Sequence, residues 1–465
     1  MMTRQRAPRL RGGKRGRQTK RDPLIGTETD AIIAEIGGRG DGIAHVTLAD
    51  GKEIIAYTDH VLPGDHVRLR LTQRRGDGYG ANVVAVHNRP HPHAAAHCSH
   101  YEKCGGCALQ HLPDADYRTW KRSRALQAVM RAGIANHEQA EKIVGELAVS
   151  APATRRRAGF SVHCGQTGVS VGFAERYSHH VVDLQDCAVL HPALMVFRGA
   201  LQAFLSACEP AAAKQVSEAF VTLCENGLDV VLSASGEPDL TLRQGLAELA
   251  EQQDLARLSW KIGNGVPEPV AMRRTPQVHF SGIAVPLPAG GFLQATQDGE
   301  TALTTAISNA LRDIPARHVI DLFSGIGSFT FTLALAGDRR RVMAVESDLA
   351  AVRNLQSAAG QSKATIDVLQ RDLFRRPLNA DDFKGVDLVL FDPPRAGAQA
   401  QCEILAVSGP EWIIAVSCNP ATFSRDIKEL RDGGYELSQV IPVDQFLWSP
   451  HLELFAVLHR TRKAA

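Results

Sequence analysis

Cys418 stands in Ser417-Cys-Asn-Pro420, just after an apolar run that reads as a strand and just before a stretch that reads as a helix. A thiol placed there sits at the rim of a sheet, where a helix N-terminus would favour its thiolate form. A thiolate can add to C6 of a pyrimidine and so make C5 a carbon nucleophile. A base must afterwards remove the C5 proton. Pro450-His-Leu-Glu453 offers Glu453 for that task, with His451 as the competing base. A lone strand cysteine is more often a buried hydrophobe. The position of Cys418 at a strand end, ahead of Pro420, argues against that alternative.

A second group of residues has the spacing of a cofactor site. Asp321-Leu-Phe-Ser-Gly-Ile-Gly-Ser328 places Gly325 and Gly327 at a strand-to-helix turn, where a backbone can approach a ligand closely. Glu346 follows 25 residues after Asp321 at the next strand end, suited to ribose hydroxyls. Asp372 follows the third strand, suited to an adenine amino group, and Asp392-Pro-Pro-Arg395 closes the fourth. An acid-lined cleft with no Lys-bearing phosphate loop suits a cationic sulfonium better than a triphosphate. The competing expectation is that each acid merely caps a following helix.

A third group is metal-like. Cys98-x5-Cys104-x2-Cys107 puts three thiols on one loop, and Gly105-Gly106 lets the backbone wrap closely. Spacing alone leaves Zn²⁺ and an iron–sulfur cluster open. His91, His93, His97, His100 and His111 are available as a fourth ligand to zinc. Cys164, Cys208, Cys224 and Cys402 read as packing residues.

The elements that must position these groups fall into an order. Residues 24–88 hold five short alternating runs, at 31–36, 42–46, 53–57, 66–71 and 82–86, with Gly- and Asp-rich turns between them. That pattern predicts a small OB-like β-barrel, resembling a TRAM domain, that binds RNA. Residues 89–290 form a mixed α+β central domain. Within it 114–145 reads as a helix with Tyr117, Trp120, Leu126, Val129 and Met130 on one side, able to pack on the catalytic domain. Arg155-Arg-Arg157 is either a phosphate contact or a solvated face. From 291 to 465, strands at 318–323, 341–346, 366–370, 386–391, 411–416, 436–443 and 452–459 alternate with helices at 326–336, 348–359 and 421–432. This predicts an α/β domain with a parallel, Rossmann-like sheet and a site beyond its carboxyl ends.

Composition bounds the rest. The 465 residues are 44% hydrophobic and 22% charged, with a net charge of +2. Residues 1–22 carry nine Lys or Arg against one Asp, so this segment is +8 and the remainder −6. That tail is expected to be a disordered, phosphate-binding arm. No apolar run reaches the roughly 20 residues of a membrane span, and no secretory h-region precedes it. A cytoplasmic monomer that does not engage membranes is expected.

Taken together, Phe292-Leu-Gln294, Asp321-Leu-Phe-Ser-Gly325, Asp392-Pro-Pro-Arg395, Ser417-Cys-Asn-Pro420 and His451-Leu-Glu453 resemble the RNA uracil-C5 methyltransferase family, closest to its ribosomal RNA branch. The resemblance implies a class I S-adenosyl-L-methionine (SAM) fold, Cys418 as nucleophile and Glu453 as base. It implies SAM contacts from Gln294, Phe323, Glu346 and Asp392, and also Ser328 and Asp372. It implies a [4Fe-4S] cluster on Cys98, Cys104, Cys107 and the distant Cys187, and 23S rRNA as substrate. The alternatives are a transfer RNA substrate, cytosine-C5 methylation, or a non-catalytic RNA-binding protein. An amino-group methyltransferase fits less well, because Arg395 stands where such enzymes carry an aromatic. The sequence departs from the family at Ser324, often Cys, and at Ser328 and Thr296, often Asn.

Overall fold

The computed structural model describes residues 22–134, 136–166, 168–337 and 340–460. The expected basic arm, apart from Asp22, lies outside the described residues. Residues 22–92, except 38–40, form one compact unit and the remainder a second.

The first unit is a six-stranded sheet of β1 (Glu28–Ile32), β2 (Glu35–Ile36), β3 (Gly42–Thr47), β4 (Glu53–Thr58), β5 (His66–Arg75) and β6 (Gly78–Asn88). Its order is β1-β5-β6-β4-β3-β2. Strict alternation along β5 buries Val67, Leu69 and Leu71 and turns Arg68 and Arg70 outward. There they pair with Asp30 and Glu28 on β1. The run expected at 31–36 is broken between β1 and β2, so six strands stand where the pattern suggested five.

The second unit opens with helices α1 (Asp114–Arg131) and α2 (His137–Ile143) and the short β7 (Ala148–Val149). The single helix expected over 114–145 is therefore two. Gly133 adopts a φ of +97°, which ends α1, and Asn136 caps α2 by accepting from the Gln139 N–H at 2.9 Å. On α1, Tyr117, Leu126 and Val129 are buried, whereas Trp120 is half-buried and Met130 exposed.

A seven-stranded sheet follows, with order β10-β9-β8-β11-β12-β13-β14. Its strands are β8 (Arg157–Gly165), β9 (Gly168–Ala174), β10 (Val181–Asp183), β11 (Val216–Cys224), β12 (Gly227–Ala234), β13 (Arg257–Ile262) and β14 (Glu268–Met272). Helices α3 (Pro192–Ala207), α4 (Pro210–Ala213) and α5 (Leu240–Gln252) accompany it, and the hairpin β15 (Gln277–Phe280) and β16 (Ile283–Pro286) leads out.

The last region carries α6 (Gln297–Asp313), β17 (His318–Leu322), α7 (Thr330–Leu335), β18 (Arg341–Glu346), α8 (Leu349–Gln361), β19 (Thr365–Gln370), β20 (Leu388–Phe391), α9 (Gln399–Ser408), β21 (Trp412–Ser417), α10 (Pro420–Asp432), β22 (Glu436–Asp444) and β23 (Glu453–His459). The eight-stranded sheet runs β19-β18-β17-β20-β21-β23-β22-β7. The first five strands are parallel, as the alternation predicts. Of the last two expected strands, β22 keeps the common direction and only β23 does not. A loop without a helix joins β22 to β23, so β23 turns back antiparallel between β21 and β22.

β7, from the region expected to be a separate central domain, adds a parallel edge to β22. The core beneath the sheet also takes Ala125, Leu126 and Val129 of α1 and Ala132 just after it, packed with Phe423, Ile427 and Leu430 of α10. No helix among the described residues is long and apolar enough to cross a membrane.

The β22–β23 loop is tied down from α1. The Lys121 ammonium donates to Asp444 Oδ1 at 2.8 Å and to the His451 backbone carbonyl. The Tyr117 hydroxyl donates to Asp444 Oδ2 and accepts the Trp448 N–H at 2.8 Å. The Lys121 and Asp444 side chains are fully buried, so removing either strands a charge. Lys121→Met is expected to lower stability by about 3–5 kcal/mol. Chemical denaturation measures this, and an unchanged midpoint would show that the clamp carries no weight.

Candidate active site

Several strands of the sheet deliver functional groups to one edge. The turn after β17 carries Phe323, held at a φ of +61°, a region that bulky residues occupy only where surroundings force them. Gly325 follows at +56° with open space where a side chain would be. Gly327 is small for another reason than the one expected. A Cβ there would lie 2.6 Å from Leu355 on α8, so this glycine serves helix packing rather than a ligand.

The acids do not simply cap helices. Asp348, not Glu346, caps α8 by accepting from the Ala351 N–H at 2.7 Å. Glu346 Oε2 instead accepts from Gly325 N at 2.9 Å, which ties the glycine turn to β18, while its Oε1 accepts from Ser347 N and Asp348 N. Asp372 closes its own turn by accepting from Phe374 N at 3.0 Å. Phe374 stands with its ring centre 5.5 Å from that of Phe323. Asp321 lies beneath the turn, bonded to the Thr330 hydroxyl at 2.6 Å, and burial pushes it up to about 7.

These groups border one cavity of about 570 Å³, within the usual range of small-molecule sites. Gln294, Phe323, Ser328, Glu346, Asp372, Asp392, Cys418 and Glu453 all line it, as do Arg395 and His451. The Ser324 hydroxyl, also in the lining, is buried and has no hydrogen-bond partner among the described residues. Carboxylates, an unpaired hydroxyl and two aromatic rings in one cleft suit a ligand with a cationic centre, ribose hydroxyls and a flat purine. The donor set therefore fits SAM.

Sheet register brings the thiol to the carboxylate. β21 and β23 pair antiparallel with Ser417 opposite Leu454, so the next position on each strand sets Cys418 beside Glu453. Burial pushes the Cys418 thiol up to about 12, reinforced by Glu453 and Asp392 and opposed by Arg395. This reverses the expectation that the helix N-terminus would favour a thiolate. Desolvation and two neighbouring carboxylates outweigh a partial charge.

Glu453 is buried, and its carboxyl is held above the usual range by burial and by Asp392. His451 is shifted the other way. Burial and then Arg395 push it down to about 4, and Arg395 Nη2 lies 2.9 Å from its Nε2. A guanidinium only donates, so that nitrogen's lone pair is already engaged.

A second cavity of about 350 Å³ is lined by Cys98, Cys104, Cys107 and Cys187. Burial pushes Cys98 up to about 11 and Cys107 up to about 12. The Gly106 N–H donates to Cys104 Sγ at 3.4 Å, which accounts for the tight loop. Cys98, His100 and Asp186 also bring ligand atoms within 4.8 Å of one another. The histidine and carboxylate of that trio are hydrogen-bonded at 3.0 Å. The remaining cysteines pack in cores, Cys402 and Cys224 fully and Cys164 and Cys208 partly. The two cavities share a wall of Arg155, Ala158, Gly159, Arg395, Phe446 and His451.

Sequence reasoning missed several positions. Arg156 is neither a phosphate contact nor solvated. It is buried and paired with Glu300 at 2.7 Å. Arg157 holds the Leu293 carbonyl and stacks on Phe292, its guanidinium 4.7 Å from the ring centre. Gln445, Asp444 and Lys121 were not singled out, although buried polar residues in an otherwise apolar stretch, such as Asp444-Gln445, are a usable signal.

Residues 290–461 match the family model described as tRNA (uracil-5-)-methyltransferase. The chain is 37% identical to an uncharacterised RNA methyltransferase of Brucella suis, over 93% of this chain and 98% of that one. It is 30% identical to the 23S rRNA (uracil(1939)-C(5))-methyltransferase RlmD of Halomonas elongata, over 99% and 96% respectively. Its fold is similar to that of the Pyrococcus abyssi tRNA (uracil-54, C5)-methyltransferase in complex with S-adenosyl-L-homocysteine. That similarity has a TM-score of 0.69 and 20% identity, and covers 92% of this chain and 99% of that one. A strand-end thiol, a buried carboxylate beside it and an acid-lined cleft thus occur in a chain that belongs to the SAM-dependent RNA (uracil-C5)-methyltransferase family.

Proposed function

We propose that this enzyme methylates C5 of a uridine in 23S rRNA, with Cys418 as nucleophile and Glu453 as base. The carrying observation is the β21–β23 register, which sets thiol and carboxylate side by side in the cleft that both line. Cys418 loses its proton and adds to C6 of the uracil, and the electron pair of the C5=C6 bond moves towards C5. SAM, when bound, supplies the methyl group to C5. Gln294, Phe323, Ser328, Glu346, Asp372 and Asp392 would hold it. Glu453 then takes the C5 proton, and the thiolate leaves as C5=C6 reforms. The engaged lone pair and low basicity of His451 favour Glu453 over it. The uracil must leave its own stack to reach a cleft this enclosed.

The ribosomal assignment rests on similarity over nearly the whole chain to a relative so named. The N-terminal sheet and basic arm would hold the RNA. Mapping 5-methyluridine in RNA from a deletion strain tests the target. Loss from 23S rRNA is expected, and loss from transfer RNA instead would overturn it.

Cys98, Cys104, Cys107 and Cys187 would hold a [4Fe-4S] cluster with a structural role. All four thiols line one cavity. An all-thiolate set suits iron–sulfur chemistry. Protein purified without oxygen is expected to carry four iron and four sulfide, and Cys187→Ser to lose them. One zinc per chain would refute the cluster. The protein would act in the cytoplasm, where its RNA substrate lies.

Cys418→Ala is expected to abolish methylation while SAM still binds, as calorimetry would show. Persistent methylation would rule out the covalent route. Glu453→Gln should instead accumulate a denaturation-stable protein–RNA adduct. Because Cys418 is raised to about 12, its thiolate fraction grows about tenfold per pH unit across the neutral range. Adduct formation by Glu453→Gln should accelerate accordingly. A pH-independent rate would mean that the thiol is already ionised.

A further inference from the structure

Gln445 lies in the β22–β23 loop and is almost wholly buried. Its Oε1 accepts the backbone N–H of Ala295 at 2.8 Å. A backbone N–H can only donate, so this contact fixes which way the amide faces. The amide nitrogen then points to two acceptors, Gln294 Oε1 at 2.7 Å and Glu453 Oε2 at 2.9 Å. With its own oxygen engaged, Gln294 turns Nε2 to Asp392 Oδ2, 3.2 Å away. One backbone N–H thereby sets the polarity of a chain running Glu453–Gln445–Gln294–Asp392, and each terminal carboxylate receives an N–H.

We propose that Gln445 is a positioning residue for methyl transfer, holding Glu453 as an oriented, hydrogen-bonded carboxylate and linking it through Gln294 to Asp392. The inference rests on the reading of Glu453 as the base. Two buried carboxylates that face each other tend to retain a proton, and a base that retains its proton cannot take another. A hydrogen bond donated to each oxygen favours the charged form. The chain offers one to both members without introducing a cation that would compete for the thiolate. The other ionisable groups around Glu453 are Cys418 at the end of β21, Arg395 after β20, and His451 with Lys121 behind it. Among the described residues none of them donates to the Glu453 carboxylate. Gln445 also fixes the side of the cofactor cleft, since Gln294 borders it.

The test follows the methylated adduct directly. Enzyme is mixed with radiolabelled SAM and total RNA from a deletion strain, and protein-linked label is chased after a jump to about pH 6.5 or about pH 8.5. Gln445→Met keeps the volume but removes the donor. Its adduct is expected to decay about tenfold more slowly than that of the unaltered enzyme at the lower pH, equivalent to about one unit of upward shift in the base. The gap should narrow at the higher pH. Decay equal to the unaltered enzyme, or slowed equally at both pH values, overturns the proposal, the second outcome being that of a merely structural residue. Gln445→Leu likewise removes the donor towards Glu453 without adding an acid beside it. It provides the same readout if the methionine variant does not fold, which its melting curve reports. Glu453→Gln runs alongside. If it forms no lasting adduct, the assignment of the base fails. If it does while Gln445→Met decays normally, only the role of Gln445 falls.

Discussion

The antiparallel insertion of β23 between β21 and β22 is the constraint from which the site follows. Five parallel strands alone would set Cys418 and the strand-end acids along one edge, with Asp392 near the thiol but without Glu453. Turning the last strand back places Glu453, 35 positions further along the chain, one register step past the Ser417–Leu454 pair. A strand register is an all-or-nothing setting, because a one-residue slip moves every side chain to the other face. Both faces of β21 and β23 are buried, Ile413, Ala415, Ala456 and Leu458 on one side and Ile414, Val416, Phe455 and Val457 on the other.

With Cys418 and Glu453 adjacent, the proposed nucleophile and base share one environment. The same enclosure raises the thiol and the carboxylate, so neither is poised by burial. Specific polar contacts have to offset it. Arg395 does so for the thiol and occupies His451 as well, while the amide chain does so for the acids. Dryness near the reacting atoms also strengthens each of these few contacts.

Much of this was legible in the sequence, for a definable reason. Cys418, Asp392, Glu346 and Glu453 each end or begin a strand, and strand ends in an α/β sheet converge on one edge whatever the details of packing. The family signature and the fold class were legible on the same grounds. The antiparallel return of β23 was not, since apolar periodicity carries no direction. Nor was the contribution of β7, two residues long and paired across nearly 300 positions of chain. Lys121 and Gln445 escaped because their partners, Asp444, Ala295 and Gln294, are distant in sequence or defined only by the loop's course. The ionisation of Cys418 was misjudged because a local helix effect is visible in sequence, whereas enclosure by three separate strands is not.

The loop between β22 and β23 is held at Asp444 and His451 by Lys121, at Trp448 by Tyr117, and at Gln445 by Ala295. A segment bound at so many points along ten residues has little freedom left to lose when a substrate arrives. On the proposed reading, more of the ordering entropy would then fall on the nucleic acid, which would have to unstack and rotate a nucleotide into the site. Discrimination would therefore operate on how easily a given uridine departs from its surroundings, so that strained or loop-bound nucleotides enter where helical ones stay out.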